Sequence, residues 1–379
     1  MPFAYEPETQ DLRSPRQIVL PKGSSPLNLS PERLKHAKTS YSIRRVDLAG
    51  ATKLVTDRRP EAGDLVLARV TRLGQHQHLE SSSGRRARLW PGDEIVVAFG
   101  ARYAPDQYEA SVPEDLSPCH LVAAGGIAAL VQSRHAGIKA ATQIEPIGLL
   151  ANAGGVLNMR NAALSAPPSR RAPFTVAVLG SSMNAGKTTT AANLVAGLRR
   201  LGLRVGAAKV TGTGAGGDRW LMSDAGAAPV LDFTDAGFAS TAGLPLEQLE
   251  HILTQLCRHV AVAGVECVVL EVADGLLQAE TSALVKSMRF VKNVDAVLFA
   301  APDAMSALAG VEWLRQHHLP VVAVSGVVTA SPLAAREAQH AVGLPVHTAD
   351  ELTDPQIVSS LFPVLSRLPG LRATPGPTQ

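Results

Sequence analysis

The residues between Phe174 and Thr190 have the types and spacing needed to hold a phosphate group. Gly180 and Gly186 enclose five residues, and Lys187 and Thr188 follow at once. Glycine lets the backbone approach an anion closely, and the amide groups of a loop that leads into a helix can donate to it. The lysine would reach the terminal phosphates of a nucleotide, and the threonine hydroxyl would bind Mg²⁺. The predicted nucleotide-binding residues are Gly180, Ser181, Ser182, Met183, Asn184, Ala185, Gly186, Lys187, Thr188 and Thr189.

A strand, a loop and a helix must position this phosphate loop. The apolar, β-prone run over 174–179 predicts the strand, and apolar residues at helical spacing after Lys187 predict the helix. Beyond that helix, β-like runs alternate with amphipathic segments, which is typical of a doubly wound parallel sheet. The sequence therefore predicts an α/β fold whose ligand-binding groups lie at the carboxyl ends of its strands.

Two further predicted strands end in charged residues. Lys209 ends the run over 204–210, and a lysine buried there is costly unless an anion pairs with it, so we expect it to face phosphate or an acidic substrate. Glu271 follows an apolar run, which is the form of a Walker B strand. It would hold Mg²⁺ directly or through water, or polarise a nucleophile. Asp274 stands close enough in sequence to share that task.

The loop Gly-x5-Gly-Lys-Thr resembles that of dethiobiotin synthetase and its relatives in the MinD-like branch of P-loop NTPases. Over residues 172–350 the chain is also similar to a bacterial P-loop family of unknown function with a small N-terminal domain. The glycine-rich stretch after Lys209 is similar to that of the molybdopterin-guanine dinucleotide accessory GTPases. These resemblances imply a catalytic role for Lys209, although the proline that usually follows it is Val210 here, and a Mg²⁺-binding role for Asp218.

The predicted site therefore has catalytic residues Lys187, Lys209 and Glu271 and a metal set of Thr188, Asp218 and Glu271. Further candidate metal ligands are Asp224, Asp232 and Asp235, because a long loop could bring any of them to the site. No Asn-Lys-x-Asp motif is present, so guanine specificity is not supported, and ATP with Mg²⁺ is expected.

The remaining chain divides into segments of different character. Frequent prolines predict an extended arm over 1–40, and short β-rich runs separated by turns predict a small β-barrel or sandwich over 41–165. A proline-rich hinge over 166–173 then leads to the P-loop domain over 172–355 and a tail over 356–379. Arginines cluster in the β-rich part, but few aromatics accompany them, so a nucleic-acid partner is not expected.

Composition narrows the function classes. The 379 residues carry a formal net charge of only +3, so overall charge does not indicate a nucleic-acid partner. The aromatic content is only 4%, so the core must consist mainly of Ala, Val and Leu, which suits a parallel sheet covered by helices. The three cysteines lack metal-binding spacing, and no apolar run is long enough to span a membrane, so a cytoplasmic protein is expected. The relatives often place their sites at a dimer interface, which implies a homodimer.

Three functions share these parts. The favoured one is a Mg²⁺-dependent ATP-binding enzyme that phosphorylates a small carboxylate or carbamate, as a ligase does, or acts as a small-metabolite kinase. The alternative is a nucleotide-switched regulator or metallochaperone whose N-terminal β domain binds a partner. A nucleic-acid-associated ATPase is the third. The phosphate loop is common to all of them and does not separate them.

Overall fold

Two large β-sheets organise the part of the chain that the computed structural model describes, which is residues 26–165, 167 and 173–367. The first has eleven strands and the second has six. Residues 1–25 of the predicted arm, most of the predicted hinge and the tail beyond residue 367 lie outside the described residues. Among the described residues, no helix is long and apolar enough to cross a membrane.

The first half of the chain is built mainly from short strands. They are β1 (Leu27–Asn28), β2 (Lys38–Thr39), β3 (Lys53–Val55), β4 (Leu65–Arg72), β5 (His78–Glu80), β6 (Arg86–Arg88), β7 (Glu94–Phe99), β8 (Arg102–Tyr103), β9 (Tyr108–Ser111), β10 (Cys119–Ala123), β11 (Ile127–Arg134), β12 (Thr142–Asn152) and β13 (Gly155–Val156). One α-helix, α1 (Pro31–His36), and one 3₁₀ helix (Met159–Ala162) accompany them in this described part.

Five of these strands close into a barrel. β4 pairs antiparallel with both β7 and β12, β11 runs parallel to β7, and β10 joins β11 to β12. β7 is buried on both faces, since Ile95 and Val97 belong to one apolar cluster and Val96 and Ala98 to another. Closure removes the free edges of these strands. The β-rich part is therefore a barrel and not a sandwich.

The described part of the expected arm is not simply extended. β1 pairs with β3, and β2 runs parallel to β7, so both strands extend the barrel sheet. Between them, the Ser30 side chain accepts from the Arg33 amide and caps α1, whose first residue is Pro31. Serine followed by proline is a signal for the start of a helix. The many other prolines in this stretch led to the prediction of an extended arm instead.

The second half of the described chain alternates strands with helices. The elements are β14 (Phe174–Gly180), α2 (Lys187–Arg200), β15 (Val205–Lys209), α3 (Gly217–Asp224), β16 (Val230–Asp232), α4 (Leu246–Val262), β17 (Cys267–Glu271), α5 (Ala279–Lys286), α6 (Met288–Asn293), β18 (Ala296–Ala300), α7 (Ala304–Gln316), β19 (Val321–Ser325), α8 (Pro332–Val342) and α9 (Pro355–Leu361). Short 3₁₀ helices cover Val327–Ala330, Glu351–Thr353 and Pro363–Arg367.

The six strands form a parallel sheet in the order β16-β15-β17-β14-β18-β19. Helices cover both faces, as β14 shows: Val176 and Val178 pack with α2 and α9, whereas Ala177 and Leu179 pack toward α4 and α7. The predicted doubly wound α/β fold is confirmed. β14 and β17 are direct neighbours, so the groups that follow them lie side by side.

The described residues of the predicted tail, 356–367, form helices that pack onto the second half of the chain. Helix α9 and the residues after it belong to the core on the α2 side of the sheet. The ring of Phe362 meets the ring of Phe174 edge-on, with 5.8 Å between centroids. The second half therefore packs as one unit through residue 365.

A buried ionic cluster joins the barrel half to the parallel sheet. Arg44 Nη2 lies 2.6 Å from Asp235 Oδ2 and 3.4 Å from Asp232 Oδ1, and all three side chains are buried. Tyr41 Oη donates to the other oxygen of Asp232, and Arg44 also donates to Thr234. Burial and the neighbouring Asp232 raise the pKa of Tyr41, which keeps its phenol protonated. Each buried charge thus has a partner, as burial requires.

Replacing Arg44 with alanine should strongly destabilise the protein. The substitution would leave Asp232 buried without its cation, while Asp235 would keep only Arg219 at 3.3 Å and Arg45 at 3.8 Å among the described residues. Loss of the partner of a buried charge costs about 3–5 kcal/mol of unfolding free energy. Urea unfolding measures this loss.

Arg59→Ala is the matched control, because Arg59 and Glu114 form an ion pair with 67% and 76% of their side chains exposed. That pair should contribute about 0–1 kcal/mol. Equal losses in the two variants would contradict the role given to the cluster.

Candidate functional site

The phosphate loop joins β14 to α2 at the carboxyl edge of the sheet. β14 ends at Gly180, where a Cβ atom would lie 2.8 Å from Cγ of Lys187, so a side chain there would displace the lysine. Gly186 precedes α2 with a φ of 98°, a left-handed conformation that favours glycine. No side chain caps this helix, so the amide groups of its first turn are left for another acceptor.

Lys187 and Thr188 both point into the loop region. Lys187 is buried, and its Nζ donates to the Ser182 carbonyl oxygen at 2.7 Å, so the lysine spans the loop from within. Burial lowers the pKa of Lys187, and the carboxylates of Glu271 and Asp274 oppose that shift. Thr188 Oγ1 donates to Glu271 Oε1 at 2.8 Å. The structure therefore brings Lys187, Thr188 and Glu271 together, as the sequence analysis expected.

Lys209 lies in the same group. In the parallel register, Lys209 pairs with Glu271 on one side and Asp232 on the other, so three charged residues stand at one level of the sheet. The ammonium group forms an ion pair with Asp218, which lies in the first turn of α3. Burial opposes the charge on Lys209, but Asp218 and Glu271 outweigh that effect and raise its pKa. The predicted members Lys187, Thr188, Lys209, Asp218 and Glu271 are thus neighbours.

Glu271 is the most strongly perturbed carboxyl group of the site. It is 1% exposed, and burial, together with the nearby Asp218, raises its pKa from 4.5 to about 7. Among the described residues, its Oε2 is one of the few buried side-chain oxygens without a hydrogen-bond partner. A buried orphan oxygen beside a phosphate loop indicates a missing ligand or water.

The residues of this group fit a nucleotide-bound Mg²⁺ better than a resident metal. Among the described residues, no group of three or more His, Cys, Asp or Glu is placed to hold a metal ion by itself. Mg²⁺ is commonly held by one or two carboxylates together with substrate phosphates and water. Thr188 and the orphan oxygen of Glu271 offer such a partial set, whereas Asp218 is already paired with Lys209.

The other aspartates considered as metal ligands are placed differently. Asp232 and Asp235 belong to the buried cluster with Arg44, so their charges are already compensated. Asp224 is the last residue of α3, at the opposite end of that helix from Asp218. Asp274 comes closest to the phosphate loop. It lines a cleft with Ser181 and Asn184, and burial raises its pKa while Lys187 opposes the shift.

The barrel contributes residues to this cleft that the sequence analysis did not identify. Tyr103, Asp106 and His135 line it from the barrel side, and its volume is about 380 Å³. Asn184, in the phosphate loop, donates to Asp106 Oδ2 at 2.9 Å. No spacing signal could have found these residues, because the β8–β9 turn that carries Asp106 reads as an ordinary Pro-Asp turn. A larger depression, lined by Arg336, His340 and His347, lies along α8 and shares no lining residue with this cleft.

A second barrel contact reaches the helix that carries Asp218. Glu80, at the end of β5, is 4% exposed and accepts from the Gly216 amide at 2.9 Å and from Trp220 Nε1 at 3.0 Å. Both donors flank Asp218, in the residue before α3 and in its first turns. β5 pairs with β6 in a separate two-stranded sheet of the barrel half, so the position of Asp218 is set by this hairpin as well as by the parallel sheet.

The parallel sheet, the loop from β14 to α2 and the left-handed Gly186 together define a P-loop NTPase fold. No protein-family model matches the chain, and no curated protein matches it. Solved structures with some similarity include the signal recognition particle 54 kDa protein from Aeropyrum pernix K1 in complex with GDP (20% identity, TM-score 0.35). Others are the signal recognition particle receptor FtsY from Elizabethkingia anophelis in complex with GDP (15%, 0.34) and chloroplast FtsY from Physcomitrella patens (19%, 0.34).

These similarities are partial. They cover 52% of this chain and 50% of the Aeropyrum protein, 53% and 66% for the Elizabethkingia receptor, and 53% and 68% for the Physcomitrella protein. The chain thus spans about half of the length of the Aeropyrum protein. None of the three is a dethiobiotin synthetase, so that resemblance remains a prediction.

The raised pKa of Glu271 predicts a specific pH dependence of stability. The folded chain holds this proton more tightly than the unfolded chain, so the stabilisation is complete below the ordinary pKa of 4.5 and is lost as the pH rises through about 7. Relative to a variant that lacks this titrating group, the unfolding free energy of the protein without nucleotide, in EDTA, should fall by on the order of 3 kcal/mol across this range. Other groups, such as His76, whose pKa burial lowers to about 4, titrate in both proteins and cancel in the difference. Urea unfolding at a series of pH values measures the fall.

The variant Glu271→Gln keeps the shape of the side chain but cannot titrate. The fall in stability assigned to Glu271 should therefore be absent from its profile, so the variant should gain stability relative to the unsubstituted protein as the pH rises through about 7. Parallel pH profiles for the two proteins would show that Glu271 is not the group responsible.

Proposed function

We propose that this chain is a Mg²⁺-dependent nucleotide-binding enzyme that transfers the γ-phosphoryl group of ATP to a small-molecule acceptor. The observation that carries the proposal is Lys209. It is a second lysine beside the phosphate loop, its side chain is only 13% exposed, and it is compensated by Asp218 and Glu271. Holding a second ammonium out of water is costly. A lysine at this costly position is explained if it stabilises negative charge that develops during phosphoryl transfer.

Each residue has a role that follows from its position. Lys187 and the amide groups at the start of α2 would hold the terminal phosphates, because they lie at the positive end of the helix dipole. Thr188 and Glu271 would hold Mg²⁺, with Asp218 as a further ligand if it exchanges Lys209 for the metal. When bound, the metal would neutralise charge on the phosphate oxygens. Lys209 would contact the transferring group or the attacking oxygen.

The chemistry we favour is ligase-like. An oxygen of a substrate carboxylate or carbamate attacks the γ-phosphorus, a new P–O bond forms, the bond to the β-phosphate oxygen breaks and ADP leaves. The resulting acyl phosphate is then attacked by an amine, a C–N bond forms, phosphate leaves and the amine loses a proton. A small-metabolite kinase would use the same first step, with a hydroxyl group as the attacking group.

A nucleotide-switched regulator is the second candidate, and a specific contact favours it. Glu80 of the barrel half binds Gly216 and Trp220 on either side of Asp218. If nucleotide or Mg²⁺ draws Asp218 from Lys209, α3 would shift and the barrel would move with it, so a partner of the barrel could sense the nucleotide. The two functions differ in one measurable respect, since only the enzyme requires a metabolite for rapid turnover.

The Lys187→Ala variant tests nucleotide binding. Because Lys187 is predicted to contact the phosphates directly, its loss should weaken ATP binding about 100-fold while the far-UV circular dichroism spectrum is preserved. Thermal shift with Mg²⁺ and ATP, ADP, GTP or CTP measures the effect and selects the base. Lys292→Ala, at an exposed position of α6, is the control and should behave as the unsubstituted protein. Unchanged ATP affinity in Lys187→Ala would contradict the site assignment.

The Lys209→Met variant tests catalysis. Turnover should fall by about 100-fold, with a much smaller change in nucleotide affinity, because the ammonium acts mainly on charge formed in the transition state. The substitution also leaves Asp218 without its cation, so the double variant Lys209→Met/Asp218→Asn is measured beside it. The double variant should recover thermal stability but not turnover, and it should turn over more slowly than the single variant Asp218→Asn, which measures what the loss of Asp218 alone removes. Recovery of turnover together with stability would make Lys209 a structural residue.

A further inference from the structure

The cleft between the barrel and the phosphate loop has the composition of an acceptor site. Its walls include Tyr103, Asp106 and His135 on one side and Ser181, Asn184 and Asp274 on the other. The phosphate loop forms one wall directly, so a molecule in the cleft would lie beside the terminal phosphate. A volume of about 380 Å³ is at the small end of ligand pockets and suits a small polar metabolite.

Two buried polar atoms of the described residues that line the cleft have no hydrogen-bond partner. Within the described part of the chain, Asp106 Oδ1 and Ser181 Oγ are both buried and make no hydrogen bond. The other oxygen of Asp106 is occupied by Asn184, so the carboxylate is held in place with one oxygen left over. A buried carboxylate oxygen without a partner costs free energy unless a ligand or water supplies a donor.

The charge of the cleft is acidic. Among the described residues that line it there are two carboxylates, Asp106 and Asp274, and neither lysine nor arginine. Arg102 compensates Asp106 and Asp274 from within the barrel, where it is 8% exposed and its guanidinium is bound by the Val122 carbonyl and by Gln107. An ammonium group of the substrate would find carboxylate acceptors here, whereas its carboxylate or carbamate group would lie away from the two aspartates, toward Lys209.

The backbone brings Asp274 close to the phosphate loop. Gly275 lies against the phosphate loop so tightly that a Cβ atom there would be 2.3 Å from the Ser181 carbonyl oxygen. Asp274, just before it, has a φ of 65°, a left-handed conformation that aspartate and asparagine tolerate better than most residues. The loop after β17 is therefore pressed against the phosphate loop with its carboxylate facing the cleft.

We propose that this cleft binds the acceptor substrate through a primary amine, with Asp106 and Asp274 as the residues that recognise the ammonium group. The assignment rests on the proposed phosphoryl-transfer function and adds the substrate class to it. It also makes the barrel a substrate-binding part of the enzyme, because Asp106 comes from the turn between β8 and β9. Asp106 and Asp274 are here specificity-determining residues, and neither is needed to hold the nucleotide phosphates.

The test uses the full chain and three defined amines: 1,4-diaminobutane, L-lysine and glucosamine, each beside the N-acetyl derivative in which every amine is acetylated (N,N′-diacetyl-1,4-diaminobutane, Nα,Nε-diacetyl-L-lysine and N-acetylglucosamine). Thermal shift and nucleotide hydrolysis are measured for every compound with and without Mg²⁺-nucleotide. At least one amine should give a saturable response, and its N-acetyl derivative should not, because acetylation removes the positive charge. A response to N-acetyl derivatives equal to that of the amines, or no response to any of the amines, would overturn the assignment.

Three substitutions locate the amine-binding site. Asp106→Asn should weaken the amine response about tenfold, since one charge-assisted hydrogen bond is lost. Asp57→Asn, at an exposed position of the barrel half, should leave it unchanged. An amine response that survives in both Asp106→Asn and Asp274→Asn would locate the amine elsewhere and overturn the proposal.

Failure of the assignment and failure of the proposed function remain distinguishable. Nucleotide alone is tested in every protein, so a chain that binds an amine but no nucleotide keeps the cleft assignment and loses the phosphoryl-transfer function. A chain that binds nucleotide but none of the three amines loses only the cleft assignment.

Discussion

Compensation of buried charge at the carboxyl edge of the parallel sheet is the constraint on which the rest of the structure depends. The register sets Asp232, Lys209 and Glu271 side by side on three adjacent strands, where the interior strongly disfavours uncompensated charge. Each has a partner from a different element. Asp218 of α3 pairs with Lys209, Thr188 of α2 donates to Glu271, and Arg44 from the barrel half pairs with Asp232. The site is the place where these elements converge.

This constraint gives the barrel a part in the site. Arg44 is needed because β16 ends in a buried aspartate, and Glu80 holds the backbone that leads to Asp218. Asp106 reaches the phosphate loop itself through Asn184. These three contacts fall on separate segments of the barrel half, so its position relative to the sheet is fixed at several points. A conformational change at the phosphate loop would therefore be transmitted to the barrel half.

The two proposed functions differ in how the free energy of nucleotide binding is used. In the enzyme, Lys209, Asp218 and Glu271 form a preorganised electrostatic environment that favours the charge distribution of phosphoryl transfer. In the regulator, exchange of partners around Asp218 would be relayed through Glu80 to the barrel. The raised pKa of Glu271 is compatible with both, because burial and the nearby Asp218 disfavour the charge of this carboxyl group, and a cation bound beside it would favour that charge.

The sequence by itself determined those features that depend on residues close together in the chain. Glycine spacing, an apolar strand and the following Lys187–Thr188 pair were enough to predict the phosphate loop, and strand–helix alternation was enough to predict the parallel sheet. The charged ends of two strands also identified Lys209 and Glu271, since strand ends in such a sheet meet at one edge. Only the tertiary structure decided which aspartate joins Lys209, because Asp218, Asp232 and Asp235 all follow the same strand and differ only in what packs against them. It also decided that Asp106 faces the phosphate loop, because that contact joins residues 78 positions apart that no local pattern connects.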